Sequence, residues 1–161
     1  MSYIAHKYAL GGGVGASGNR LPSFDKALLE AGVGNYNLVR LSSILPAYAT
    51  EVPIKEISRH IQEGSLLPTA YSTISSDKLG AKIASAIGLG LPKDKSRVGV
   101  IMEFSAEGLN SADAVAVVRS MVEEAFSVRG WELDEIKTVS AEATVAFPGV
   151  QYTTFACLCE W

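Results

Sequence analysis

Cysteine and histidine are almost missing from this sequence: Cys157 and Cys159 near its end, His6 and His60 far apart. Two cysteines cannot build a disulfide framework. A C-x-C pair also lacks the C-x₂₋₄-C spacing and the four ligands that structural zinc prefers, so no metal is expected. The pair reads instead as two small hydrophobes of a last strand. Long apolar runs are absent, none approaching the ~20 residues a membrane span needs. Met1 to Leu10 lacks the charged-then-apolar order of a secretory leader, which points to a cytoplasmic protein. Basic excess is missing too: 14 Lys and Arg stand against 17 Asp and Glu, a net charge of −3. That balance argues against nucleic acid and anionic membrane as primary partners.

What remains is apolar for a small chain. Hydrophobic residues make up 48% and charged residues 19% of the 161, which excludes disorder and suits one domain over residues 1–161. The mean hydropathy of +0.20 points to surface buried by self-association.

The compositional anomaly is Gly11 to Gly18 (GGGVGASG), which reads as a flexible loop. Gly13 to Gly18 also matches G-x-G-x-x-G. That fingerprint needs its glycines to turn a strand directly into a helix, and here Asn19-Arg20-Leu21-Pro22 intervenes, so dinucleotide binding is disfavoured. Ser23 reads as the cap of a helix over Phe24 to Ala31, with Asp25 in its first turn and Gly32 as its stop. Asn37 to Leu45 (NLVRLSSIL) reads as one strand, Leu66 to Ser75 as a second, and Lys82 to Leu91 as a third. In that third strand Ala84, Ala86, Gly88 and Gly90 form a small-residue face that lets another layer approach closely. Arg97 to Phe104 is an interior strand, Ser111 caps a helix stopped by Gly130, and strands follow at Glu132 to Val145 and Val150 to Glu160. Alternating βαβ order is absent, so the expected class is α+β, a strand-rich layered sandwich with two main helices.

Ser, His and Asp are all present, but no G-x-S-x-G elbow occurs and His60 sits in a polar stretch. Ser42-Ser43 is the more informative pair. Its hydroxyls lie in an otherwise apolar run, LVRLSSILP, where burial would demand hydrogen-bond partners, and Pro46 closes the run.

The run from Phe24 to Pro46 (FDKALLEAGVGNYNLVRLSSILP) resembles the core signature of the pyruvoyl-dependent arginine decarboxylases. Gly64 to Tyr71 (GSLLPTAY), Pro92 to Ser96 (PKDKS), Ile101-Met102-Glu103 and Arg129 to Asp134 (RGWELD) match in the same order, over about residues 23 to 139. The resemblance implies an αββα sandwich that cuts itself between Ser42 and Ser43, giving residues 1–42 and 43–161, with Ser43 becoming a covalent pyruvoyl cofactor. The ketone of that group would form an imine with the amine of L-arginine and accept the electrons left by CO₂, giving agmatine.

By the same resemblance Glu103 is the proton donor. Strand parity sets it on the face of Gly99 and Ile101, where an apolar surround would keep it protonated. Asn37 matches an asparagine used near the cut, although alone it reads as a turn residue. Asp25 matches the carboxylate for the substrate guanidinium, although alone it reads as a first-turn acid. Family members assemble as trimers of cleaved protomers, and the product feeds polyamine synthesis or proton consumption. The alternatives are a pyruvoyl decarboxylase for another amino acid such as histidine, and a non-catalytic oligomeric homologue that no longer processes itself.

Overall fold

The computed structural model describes residues 3–161. Its strands are β1 (Lys7–Ser17), β2 (Asn37–Arg40), β3 (Ile44–Leu45), β4 (Thr50–Glu51), β5 (Leu66–Ser76), β6 (Lys82–Pro92), β7 (Gly99–Glu107), β8 (Leu133–Thr144) and β9 (Gln151–Glu160). The helices are α1 (Arg20–Glu30) and α2 (Ser111–Arg129), with a 3₁₀ segment at Ile54–Arg59. Five strands form one sheet in the order β2-β5-β9-β1-β4, and four form another in the order β3-β7-β6-β8.

Each layer follows from period-two patterning. Along β9, Phe155, Cys157 and Cys159 face α1, while Ala156 and Leu158 face the other sheet. Along β6, Ile87 and Leu89 meet those residues between the sheets, and Ala84 and Ala86 face α2 with Val118. A strand covered on both faces carries apolar residues on both, which is why β6 and β9 read as near-continuous hydrophobic runs. The order of layers is α1, five-stranded sheet, four-stranded sheet, α2: the α+β sandwich that the strand-rich pattern predicts.

The small-residue face of β6 has the expected use. A Cβ on Gly90 would stand 2.4 Å from Val122 Cγ1 and 2.6 Å from Phe126 Cε2, so α2 rests directly on the β6 backbone.

Several boundaries differ from the sequence expectation, each for a local reason. The stretch Gly11 to Gly18 is no loop: through Ser17 it is the second half of β1, hydrogen-bonded along its length to β9. Its glycines serve packing, since a Cβ on Gly13 or Gly15 would fall 2.2 Å from Ala27 O or 1.9 Å from Ser23 O of α1. Glycine here lets a helix lie on a strand at backbone contact, which a loop reading of glycine overlooks. The strand does lead into a helix after a short connection. Yet β1 pairs with β9 and β4 while β2 pairs with β5, so no dinucleotide-type βαβ unit exists there.

Helix α1 begins at Arg20, with Asn19 as its N-cap residue, so Ser23 is internal and Asp25 lies beyond the first turn. The Ser23 hydroxyl instead donates to Arg20 O at 2.7 Å and meets Thr153 Oγ1 at 2.7 Å, fixing α1 to β9. Asn110, not Ser111, caps α2: its Oδ1 accepts from Asp113 N at 2.9 Å, and Asp113 Oδ2 in turn accepts from Asn110 N at 3.2 Å. Gly130 ends α2 in the left-handed region at φ 64°, as expected.

The expected strand Asn37 to Leu45 is two strands in two sheets. β2 pairs with β5 in parallel, and β3 pairs with β7 antiparallel. Residues 41 to 43 carry the chain from the edge of one sheet to the edge of the other.

Candidate active site at the seam between the sheets

Apolar residues bring Ser42-Ser43 to the seam. Leu38 packs with the core under α1, and Leu41 and Leu45 pack between the sheets, so a chain holding all three must cross from sheet to sheet. Leu41 N donates to Thr69 O at 3.1 Å, the last tether to the first sheet. Ile101 N then donates to Ser43 O at 2.9 Å, the first tether to the second. Between these tethers Ser43 adopts φ 87°, in the left-handed region that a Cβ-bearing residue avoids. Among the described residues only Tyr48, at φ 64°, is another non-glycine residue with positive φ. Such a conformation costs on the order of 1–3 kcal/mol and persists only where the surroundings enforce it. The Ser42–Ser43 peptide is thus held at both ends with its strain on the second serine.

Glu103 comes to the same seam from β7. It lies two residues beyond Ile101 and shares its inward face, about 6.6 Å along the strand. In place of the expected apolar surround, it meets a cation. Arg40, at the end of β2, reaches across and places Nη2 2.5 Å from Glu103 Oε1 and 3.0 Å from Tyr71 O. The same guanidinium lies over the Tyr71 ring, 4.5 Å from its centroid. The hydrogen bond that Arg40 donates to Glu103, with the charge of that carboxylate, holds the Arg40 pKa above its ordinary value. The Glu103 side chain is 30% exposed and that of Arg40 55%. The other carboxyl oxygen, Glu103 Oε2, is buried and has no hydrogen-bond partner.

The two sheets are fixed together beside this point. Ser72 Oγ lies 2.9 Å from Phe104 O, and Ser105 Oγ donates to Thr73 O at 3.2 Å. These bonds set the spacing that lets one arginine span the gap. Sequence reading did not assign Arg40 and Tyr71 a role; the signal available was a lone charge inside an apolar strand.

Asn37 and Asp25 are not brought to Ser43 within one chain. Asn37 opens β2, and its amide donates to Gly64 O at 2.7 Å. Asp25 is exposed on α1, a helix packed on the outer face of the five-stranded sheet. The last strand carries no reactive thiols: burial pushes Cys159 up to about 12 and Cys157 well above its ordinary value. Among the described residues no group of three or more His, Cys, Asp or Glu could hold a metal ion. No helix there is long and apolar enough to cross a membrane.

Comparison with known proteins identifies the family of this chain. Residues 7–160 match the family model of pyruvoyl-dependent arginine decarboxylases. A protein of that name from Pyrococcus furiosus is 45% identical over 146 residues, covering 90% of this chain and 90% of its own. One from Methanococcus maripaludis is 41% identical over 144 residues, with 89% and 85% covered. Another, from Methanocaldococcus jannaschii, is 43% identical over 136 residues, with 84% and 79% covered. A family match running from the first residue of β1 to the last of β9 leaves no element of the sandwich outside it, and the chain belongs to the pyruvoyl-dependent arginine decarboxylase family.

Proposed function

We propose that this chain cuts itself between Ser42 and Ser43 and decarboxylates L-arginine to agmatine and CO₂. The observation that carries the reading is Ser43, a non-glycine residue at φ 87° at the sheet-to-sheet crossing. Strain on the residue that supplies the nucleophile is relieved when its peptide bond breaks. The Ser43 hydroxyl adds to the Ser42 carbonyl carbon, and the acyl group moves from nitrogen to oxygen. Loss of the proton on Cα of residue 43 then expels Ser42 as a carboxylate and leaves a dehydroalanine. Addition of water and loss of ammonia convert it to a pyruvoyl group heading residues 43–161.

The residues at the seam fit such a group: Ile101 holds residue 43 through its carbonyl, and the unpartnered Glu103 Oε2 lies two residues along the same strand face. Once formed there, such a group would supply a carbonyl for the substrate amine and a sink for the electron pair left by departing CO₂. Glu103 delivers the proton to the carbon that has lost it. Asp25 accepts the substrate guanidinium, for which a carboxylate offers two parallel hydrogen bonds. Asn37 acts near the cut bond.

Asp25 and Asn37 lie away from Ser43 in one chain, which supports supply from a neighbouring subunit and a trimer of cleaved protomers. Val39, Ile44, Tyr48 and Leu66, exposed on β2, β3 and the adjoining segments, suit that assembly. The enzyme works in the cytoplasm as one self-cleaved domain, where agmatine formation feeds polyamine synthesis or consumes protons.

Intact mass spectrometry is the test. Wild type should give two chains, residues 1–42 and 43–161, that copurify. Ser43→Ala should remain one inactive chain, and Ser43→Cys should still cut, since a thiol makes the analogous acyl shift. An uncut wild type that turns over arginine would sink the proposal.

A further inference from the structure

Glu103 reaches the seam on a flexible side chain, and one of its two oxygens is tied down. Oε1 accepts from Arg40 Nη2 at 2.5 Å, while Oε2 is buried with no hydrogen-bond partner. When one oxygen of an acid is held, chemistry falls to the other, and whatever holds the first decides where the second points. Resting on the assignment of Glu103 as the proton donor, we infer that Arg40 and Tyr71 are positioning residues for the decarboxylation. The ring and carbonyl of Tyr71 fix the Arg40 guanidinium, and the guanidinium fixes Glu103 so that it delivers from Oε2.

The strands dictate this arrangement. Arg40 is the last residue of β2 and pairs in register with Thr69, and Tyr71 lies two residues further along β5. Two residues on, a strand returns to the same face, so the Tyr71 ring lies beside the path of the Arg40 side chain. The guanidinium carbon is 4.5 Å from the ring centroid, within cation–π range. Because β2 stops at Arg40, no β2 residue claims Tyr71 O, and Arg40 Nη2 donates to it at 3.0 Å. A planar guanidinium held by its face on a ring and by its edge on a carbonyl has little rotation left, which a lysine ammonium would not match. The ring is itself braced. It lies tilted on Phe155 with centroids 5.3 Å apart, and the fully buried Phe155 meets Phe24 of α1 edge to face at 5.9 Å. The support of Glu103 is therefore built on the packed core beneath α1, as a group aimed to within a fraction of an ångström requires. Arg40 is 55% exposed, where an ion pair contributes little to stability, so its three contacts serve position more than they hold the fold together.

Steady-state agmatine formation in a double-mutant cycle tests the inference. Tyr71→Leu removes the ring and Arg40→Lys removes the planar fork, and neither alters Glu103 itself. Each should cut into two chains and keep KM while kcat falls about 10-fold, the order of loss when an orienting partner is removed. Tyr71→Phe keeps both ring and carbonyl and should restore kcat. In the Glu103→Gln background, Tyr71→Leu and Arg40→Lys should lower kcat no further, because the acid they position is gone. A loss that multiplies in that background overturns the inference, since it would be a general effect of packing. So does wild-type kcat in both single variants, and so does a variant that stays uncut, which would place these residues in processing. Should Tyr71→Leu fail to fold, Arg40→Lys decides alone, since it alters a half-exposed side chain. Wild-type turnover by Glu103→Gln overturns the assignment of the acid instead, and an uncut wild type overturns self-cleavage.

Discussion

Arg40 and Glu103 belong to different sheets, yet their side chains meet at 2.5 Å across the seam through which the chain passes between them. The contact is half-exposed on the arginine side, so its own contribution to stability is modest, on the order of 1 kcal/mol. Its importance is positional: it marks where the Ser42–Ser43 bond, the β7 acid and the edge of the sandwich converge.

Glu103→Gln should process normally and decarboxylate poorly. The acyl shift at Ser43 needs no proton from β7, whereas protonation of the carbon that lost CO₂ does. General acid catalysis supplies about 10²–10⁴-fold, and kcat should fall by that order while intact mass still shows two chains. Wild-type turnover would remove Glu103 from the reaction.

Ser43→Gly and Ser43→Ala both lack the attacking oxygen and should stay uncut, which permits a clean test of strain. Glycine tolerates the φ of 87° at residue 43 without a Cβ clash. The glycine variant should be the more stable by about 1 kcal/mol, read from urea midpoints. Equal stability would show that the left-handed conformation carries no penalty.

Gly15→Ala should damage the fold rather than the chemistry. The added Cβ would stand 1.9 Å from Ser23 O and 2.7 Å from Ala27 N, both backbone atoms of α1 that cannot turn aside. A loss of about 3 kcal/mol is expected from thermal unfolding, at the upper end for overpacking. A neutral result would mean that α1 can lift off β1 freely.

Glu160 should make stability depend on pH. It is 7% exposed, Oε2 has no partner, and burial pushes its carboxyl from 4.5 to about 7. A carboxyl raised in the folded state costs nothing below 4.5 and opposes folding increasingly as pH climbs through 7. The difference corresponds to about 3 kcal/mol at alkaline pH. Glu160→Gln should therefore be more stable than wild type at pH ~8 and no more stable at pH ~4, the comparison made by denaturant titration. A gain independent of pH would point to packing instead of charge.

The sequence by itself determined the layers and the family. Period-two runs such as Gln151 to Glu160, and the helix that ends at Gly130, depend on near neighbours along the chain, so their patterns survive in one dimension. The Phe24 to Pro46 run pointed to the chemistry in the same way, as an ordered set of residue types. Tertiary structure decided what depended on partners remote in sequence. Gly13 and Gly15 look like a loop until α1 is laid against them, because glycine signals freedom and close approach with the same letter. Asn37 to Leu45 looks like one strand until β5 claims its first half and β7 its end, since which strand supplies the hydrogen bonds is a property of the whole sheet. The surroundings of Glu103 were hidden for the same reason. Its neighbours Arg40 and Tyr71 are far away in the chain, and only the packing of two sheets face to face brings a cation to an acid that its own strand surrounds with apolar residues.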